Sequence, residues 1–163
     1  MIYILTGDIR TGKTTALLNW IEGRADVDGV LCPDSENGKR YFLNIKTKEE
    51  YFLGTNLETE ENKIISIGPF QFLKSSFQKA NNYLLEANEK RVSKYLIIDE
   101  LGKLELKYNG LHDSAKVLIP KYEKKKDHHL ILVVRESLFD DILEHYNISE
   151  YSVLKKDGLR LFD

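Results

Sequence analysis

The chain has 163 residues, of which 42% are hydrophobic and 31% charged, and its net charge is −2. This length suits one hydrophobic core, so we assign residues 1–163 to a single domain, and the composition excludes a disordered chain. A net charge so close to zero gives no general attraction to nucleic acid or to an anionic membrane, and neither is predicted as a partner.

Cysteine content and the first residues of the chain bear on the cellular compartment. The single cysteine, Cys32, excludes an internal disulfide and a zinc cluster built from cysteines. The chain starts with an apolar run in place of the basic segment and cleavage site of a signal peptide, and no apolar run is long enough to cross a bilayer. We therefore expect a cytoplasmic protein.

The first predicted element is a strand over residues 1–6, which are apolar and rich in β-forming side chains. It is followed directly by a segment that fits G-x-x-x-x-G-K-[ST], the phosphate-binding loop or Walker A motif of nucleotide-binding proteins. The apolar residues at positions 16, 17, 20 and 21 then have helical spacing. The predicted nucleotide-binding residues are Gly7, Asp8, Ile9, Arg10, Thr11, Gly12, Lys13, Thr14 and Thr15.

A strand, a glycine-bounded loop and a helix form the arrangement that phosphate binding needs. Gly7 and Gly12 can adopt backbone angles that side chains forbid, so the loop can direct several N–H groups at a phosphate at the positive end of the helix. Lys13 adds a positive charge for the β- and γ-phosphates, and the Thr14 hydroxyl can bind Mg²⁺, which is the predicted cofactor. Arg10 either neutralises phosphate charge or is a solvated loop cation.

The next part of the chain predicts a strand and an insertion. Residues 27–32 form the predicted second strand, and residues 33–38 are rich in turn formers. Residues 40–46 and 50–53 predict an antiparallel hairpin, which is inserted at about residues 39–54.

Two further strands flank a long predicted helix. Residues 63–67 predict a strand, and a helix is expected to start at Pro69, because proline is favoured in the first helical turn. Apolar residues at positions 70, 73, 77, 80, 84 and 87 keep helical spacing. Residues 95–98 then predict a buried strand that leads into Asp99 and Glu100.

The last third of the chain continues the alternation of helix and strand. A helical stripe runs from Leu111 to Tyr122, and this helix is expected to kink or stop at Pro120. Residues 130–134 predict a wholly apolar strand, and residues 139–146 another helix. A final edge hairpin is expected around Asp157 and Gly158.

These elements predict a three-layer α/β fold with a mostly parallel central sheet, covered on both faces, and an antiparallel hairpin insertion. Ligands bind such sheets at the carboxyl ends of the strands. Here those ends carry Gly7, the pair Asp99 and Glu100, and Arg135, and the loop after Cys32 could add a fourth contribution.

Three side chains at these strand ends are candidates for the chemistry. Asp99 follows four apolar residues, as does the Walker B carboxylate that holds Mg²⁺ beside the threonine of the loop. Glu100 stands where many ATP-hydrolysing proteins have the glutamate that activates the attacking water. Arg135 could stabilise charge on the γ-phosphate as an arginine finger does, and the alternative is a surface arginine paired with Glu136 or Asp140.

Residues 97–106, I-I-D-E-L-G-K-L-E-L, resemble the signature I-D-E-[IL]-G-[KP]-[ML]-E-L of the small nucleoside-triphosphatase family, the compact bacterial and archaeal NTPases related to the human cancer-related NTPase. Residues 29–31, 38–42 and 68–70 are also similarly placed to segments of that family. The chain departs from the family at Arg10, where the family's loop usually has glycine.

The resemblance implies a RecA-like core and the Mg²⁺-dependent hydrolysis of ATP, GTP and other nucleoside triphosphates. It carries four residues over as phosphate, metal and base residues, namely Lys13, Thr14, Asp99 and Glu100. It also places three residues of the signature near the nucleotide, namely Gly102, Lys103 and Glu105.

Two other functions remain open at this point. In a small-molecule or nucleoside kinase the same loop would hold ATP for an acceptor hydroxyl, but no arginine-rich lid segment follows Asp99. A nucleotide-dependent regulatory binding module would tolerate slow hydrolysis, and the sequence lacks the Asn-Lys-x-Asp motif of a dedicated GTPase. The sequence indicates no particular protein partner.

Overall fold

The computed structural model describes residues 1–8, 12–34, 39–56 and 58–162. The strands are β1 (Ile2–Gly7), β2 (Val27–Leu31), β3 (Tyr41–Asn44), β4 (Glu50–Phe52), β5 (Ile64–Ile67), β6 (Phe70–Leu73), β7 (Tyr95–Asp99), β8 (His129–Arg135) and β9 (Ser152–Leu154). The helices are α1 (Lys13–Ile21), α2 (Lys74–Lys90), α3 (Lys103–Leu106), α4 (His112–Glu123) and α5 (Phe139–His145). Short 3₁₀ segments cover Glu61–Lys63, Glu136–Leu138 and Lys156–Phe162.

Seven strands form the main sheet in the order β4-β3-β2-β7-β8-β1-β9. The five strands from β2 to β9 in this order are parallel, and the hairpin of β3 and β4 adds two antiparallel strands at one edge. β5 and β6 form a separate antiparallel pair. The predicted three-layer α/β fold with an antiparallel hairpin is confirmed, whereas the assignment of residues 1–163 to a single domain stays a prediction.

Alternate residues of the central strands feed two cores on opposite faces of the sheet. Ile4 and Leu132 pack with α2 and α4 on one face, while Leu5 and Val133 pack with α1 on the other. All four side chains are completely buried. This burial on both faces explains why the central strands are apolar without interruption.

The strand register determines which residues meet at the carboxyl edge of the sheet. Gly7 of β1 lies opposite Arg135 of β8, and Asp99 of β7 lies opposite Val133 of β8. The phosphate-binding loop, the carboxylates after β7 and the end of β8 therefore emerge beside one another.

The helix predicted to start at Pro69 starts at Lys74 instead. The four residues before it form β6, which pairs with β5 through a turn at Gly68 and Pro69, where Gly68 has a φ of 55°. The prediction was wrong because the apolar positions 70 and 73 fit both a helix and a strand, and the pairing with β5 selected the strand.

Pro120 does not stop α4, which continues to Glu123. Ile119 and Tyr122 are buried on either side of it, so core packing holds the last turn although proline removes one helical hydrogen bond. The predicted final hairpin is wrong, because β9 pairs in parallel with β1 and is followed by 3₁₀ turns. In these turns Leu159 is buried and Phe162 contacts Trp20.

The described helices include none that combines the length and apolar character needed to cross a bilayer.

Gly29 provides a test of the close packing between β2 and β7. Its φ is 130°, and a Cβ atom at this position would lie 2.2 Å from the backbone oxygen of Ile97. We therefore expect Gly29→Ala to destabilise the protein by about 3 kcal/mol or more, since backbone atoms must move. Urea unfolding measures this, with Gly54→Ala as the control, because a Cβ at Gly54 meets no atom within 4 Å. Equal stability of the two variants would contradict the prediction.

Candidate active site

The phosphate-binding loop leaves β1 at Gly7 and enters α1 at Lys13. Gly12, directly before the helix, has a φ of 84°, in the left-handed region that glycine adopts readily. The Lys13 side chain is buried, and its ammonium donates to the backbone oxygens of Gly7 at 3.2 Å and Asp8 at 2.7 Å. The Lys13 ammonium thus lies at the end of β1, while Thr15 is exposed on α1. The other predicted loop residues, Ile9, Arg10 and Thr11, lie outside the described residues.

A short hydrogen bond connects this loop to the end of β7. The Thr14 hydroxyl donates to Asp99 Oδ2 at 2.8 Å, and the backbone N–H of Cys32 donates to the same oxygen at 3.1 Å. Asp99 is only 1% exposed. Burial raises the pKa of Asp99 to about 7, the two hydrogen bonds oppose this shift, and the neighbouring charge of Glu100 adds to it.

Glu100 and Arg135 form an ion pair next to this contact. Arg135 Nη2 lies 3.2 Å from Glu100 Oε1, and about three quarters of each side chain is buried. Sequence reasoning offered Glu136 or Asp140 as the alternative partner of Arg135, but the structure brings Glu100 to it. Arg135 ends β8, which lies between β1 and β7, and it is opposite Gly7 in the sheet. Its backbone is therefore placed between the phosphate-binding loop and the Glu100 carboxylate.

The signature residues after Glu100 divide between the surface and the interior. Lys103 is exposed, and Gly102 is buried. Glu105 is 4% exposed, and its carboxylate accepts hydrogen bonds from the backbone N–H groups of Gly102 at 2.7 Å and Leu111 at 2.8 Å. Burial raises the pKa of Glu105 to about 7, and these hydrogen bonds oppose the shift. Whether any of the three contacts a nucleotide stays a prediction.

Two further groups contribute to the site beside the predicted side chains. The backbone N–H of Cys32 donates to Asp99, and a backbone contact cannot be predicted from a pattern of side chains. Arg40 forms an exposed pair with Asp34 at 3.4 Å, and its positive charge opposes the rise in the pKa of Asp99. The position of Arg40 at the start of the hairpin, whose strand β3 pairs with β2, was the available signal.

The oxygen atoms of Thr14 and Asp99 suit a hard divalent cation. Asp99 is a buried carboxylate whose pKa is raised, and its hydrogen-bond partners are a hydroxyl and a backbone N–H, so a cation would relieve the cost of its charge. Within the described ranges, no group of three or more His, Cys, Asp or Glu side chains could hold a metal ion alone. These residues therefore fit Mg²⁺ that keeps waters and substrate oxygens among its ligands.

Comparisons with known proteins cover nearly the whole chain. The family model described as NTPase matches residues 2–159. The fold resembles the crystal structure of THEP1 from the hyperthermophile Aquifex aeolicus, with a TM-score of 0.70 and 16% identity over 95% of this chain and 89% of that one. It also resembles the solution structure of a human cancer-related nucleoside triphosphatase, with a TM-score of 0.65 and 17% identity over 99% and 94% of the two chains. No curated protein sequence matches.

The two buried carboxylates predict how stability depends on pH. The pKa values of Asp99 and Glu105 are both raised to about 7 in the folded protein, so the folded state holds these protons more tightly than the unfolded state does. Their contribution to stability is present at low pH and is lost as the pH rises towards about 7. We expect Glu105→Gln to reduce the decline in the free energy of unfolding between about pH 5 and pH 8. Urea unfolding in EDTA at several pH values measures this decline. An unchanged decline in the variant would contradict the raised pKa of Glu105.

Proposed function

This chain belongs to the NTPase family, as its signature predicted, and on that basis we propose that it is a Mg²⁺-dependent hydrolase of ATP, GTP and other nucleoside triphosphates. Family membership and fold support nucleoside-triphosphatase activity in general. The finer proposal is that water attacks the γ-phosphorus, the bond to the β–γ bridging oxygen breaks, and nucleoside diphosphate and phosphate leave.

The observation that supports this proposal most strongly is the hydrogen bond of 2.8 Å between Thr14 and Asp99. It joins the first turn of the helix after the phosphate-binding loop to the carboxylate that ends β7. Phosphate-transferring enzymes with this type of loop hold Mg²⁺ between a hydroxyl and a carboxylate of these two kinds. When bound there, Mg²⁺ would neutralise charge on the phosphate oxygens.

Glu100 is the proposed general base. Its carboxylate takes the proton of the attacking water and so makes the water a better nucleophile. Arg135 holds one carboxylate oxygen of Glu100 at 3.2 Å, which orients the group towards the side of the loop. The guanidinium of Arg135 is then also close to where negative charge develops on the γ-phosphate, and it stabilises that charge.

Lys13 supplies the remaining positive charge. Its ammonium donates to the backbone oxygens of Gly7 and Asp8, so it lies at the loop that would receive the β- and γ-phosphates. A positive charge at this place stabilises the negative charge that develops on the phosphate oxygens.

Replacement of Glu100 tests the base. We expect Glu100→Gln to keep nucleotide binding and to reduce phosphate release by about a hundredfold or more, because glutamine cannot take the proton. The measurement is phosphate release with a panel of nucleoside triphosphates, together with binding of a fluorescent nucleotide. Lys13→Ala should lose binding, EDTA should abolish release, and Glu89→Gln, an exposed change on α2, should leave both unaltered. Undiminished release by Glu100→Gln would remove Glu100 from the mechanism.

Replacement of Arg135 tests the stabilising charge. Arg135→Ala should lower kcat by roughly a hundredfold while the KM changes little, since the guanidinium acts mainly in the transition state. Arg135→Lys should recover part of the loss, because it restores the charge without the planar fork of donors. Steady-state kinetics with ATP distinguishes these outcomes. A rise in KM at constant kcat would instead make Arg135 a substrate-binding residue.

A further inference from the structure

Glu105 is a buried carboxylate that the proposed hydrolysis does not use. Within the described parts of the chain it forms no salt bridge, and its two oxygens are taken by backbone N–H groups, at 2.7 Å from Gly102 and 2.8 Å from Leu111. A carboxylate in the interior is costly unless its hydrogen bonds are satisfied. Through these two hydrogen bonds the Glu105 side chain joins the backbone at Gly102 to the backbone at Leu111.

The first of these segments carries Glu100. Gly102 lies between the two carboxylates, since a Cβ added to it would be 3.8 Å from Glu100 Oε1 and 3.9 Å from Glu105 Oε1. The intervening Leu101 is completely buried, and its N–H donates to the oxygen of Val133 at 2.9 Å. The two N–H groups that follow Glu100 in the chain are therefore both held, one by β8 and one by Glu105.

The second segment is the start of α4, which is fixed in turn by α2. Asn81 of α2 donates to the oxygen of Gly110 at 3.0 Å and accepts from the N–H and hydroxyl of Ser114 at 3.0 and 2.6 Å. Gly110 also limits the space around the carboxylate, because a Cβ there would be 1.9 Å from Glu105 Oε2. The backbone around Leu111 is thus held by α2, and the space beside Gly110 restricts the position of the Glu105 carboxylate.

We propose that Glu105 is a positioning residue, which holds the backbone from Glu100 to Gly102 against the start of α4 and thereby sets where the Glu100 carboxylate meets the water. This rests on the proposed function, because it takes Glu100 as the base. Glu105 acts through Glu100, because both oxygens of its carboxylate already accept backbone N–H groups.

Glu105→Gln is the direct test. Glutamine has one accepting oxygen and one NH₂ group, so one of the two N–H groups faces a donor and the bridge opens on one side. We expect kcat to fall by roughly ten- to a hundredfold, because a small displacement of a catalytic group is costly, while nucleotide affinity stays within about twofold. The kcat is calculated per nucleotide-binding site, so that unfolded protein does not lower the measured value. Glu89→Gln is the matched control.

A double-mutant cycle separates positioning from a merely structural role. If Glu105 acts through Glu100, adding Glu105→Gln to Glu100→Gln should reduce the rate very little further, as measured in single turnovers with enzyme in excess. The same fold reduction in both backgrounds would overturn the proposal, as would a loss of nucleotide affinity. If Glu105→Gln does not fold, Glu105→Asp enters the same cycle, since its shorter side chain keeps the charge and cannot reach both N–H groups. Failure of Glu100→Gln alone to slow turnover would instead contradict the proposed function.

Discussion

The hydrogen bond from the Thr14 hydroxyl to the buried carboxylate of Asp99 connects two segments that are 85 residues apart in the chain. It can form only because β2 and β8 flank β7 in one parallel sheet, with β1 next to β8, so that the loop after β1 and the end of β7 open on the same edge. The apolar strands below supply the rigidity that holds this edge in place. The ion pair of Glu100 with Arg135 depends on the same strand order, since β8 lies between β1 and β7.

Buried negative charge is the second constraint on this region. Asp99 and Glu105 are almost completely buried, and burial raises the pKa of each to about 7. Both carboxylates are satisfied mainly by N–H and hydroxyl donors, which bind a carboxylate without cancelling its charge. The two groups therefore differ in what they can do. Asp99 borders the loop and suits a cation, whereas Glu105 faces the interior and joins backbone segments.

Three local features of the sequence meet long-range contacts that decide their outcome. Positions 70 and 73 fit a helix as well as a strand, and only the pairing with β5 made them a strand. Pro120 was expected to kink or stop its helix, and burial of Ile119 and Tyr122 lets α4 continue past it. For Arg135 the sequence left open an arginine finger or a surface arginine paired with Glu136 or Asp140, and the structure pairs it with Glu100 across the sheet. In each case a contact between distant parts of the chain outweighed a local preference.

The sequence by itself determined the alternation of apolar strands and helices, and hence the α/β fold, because burial on both faces of a sheet leaves a local pattern in the residues. It also marked the phosphate-binding loop and the carboxylates after β7, since their chemistry requires particular residues at fixed spacings. Only the tertiary structure decided the partners of those residues: the N–H of Cys32 on Asp99, Arg135 on Glu100, and the interior position of Glu105. These depend on strand register and on backbone groups, which every residue except proline possesses and which no one-dimensional pattern distinguishes.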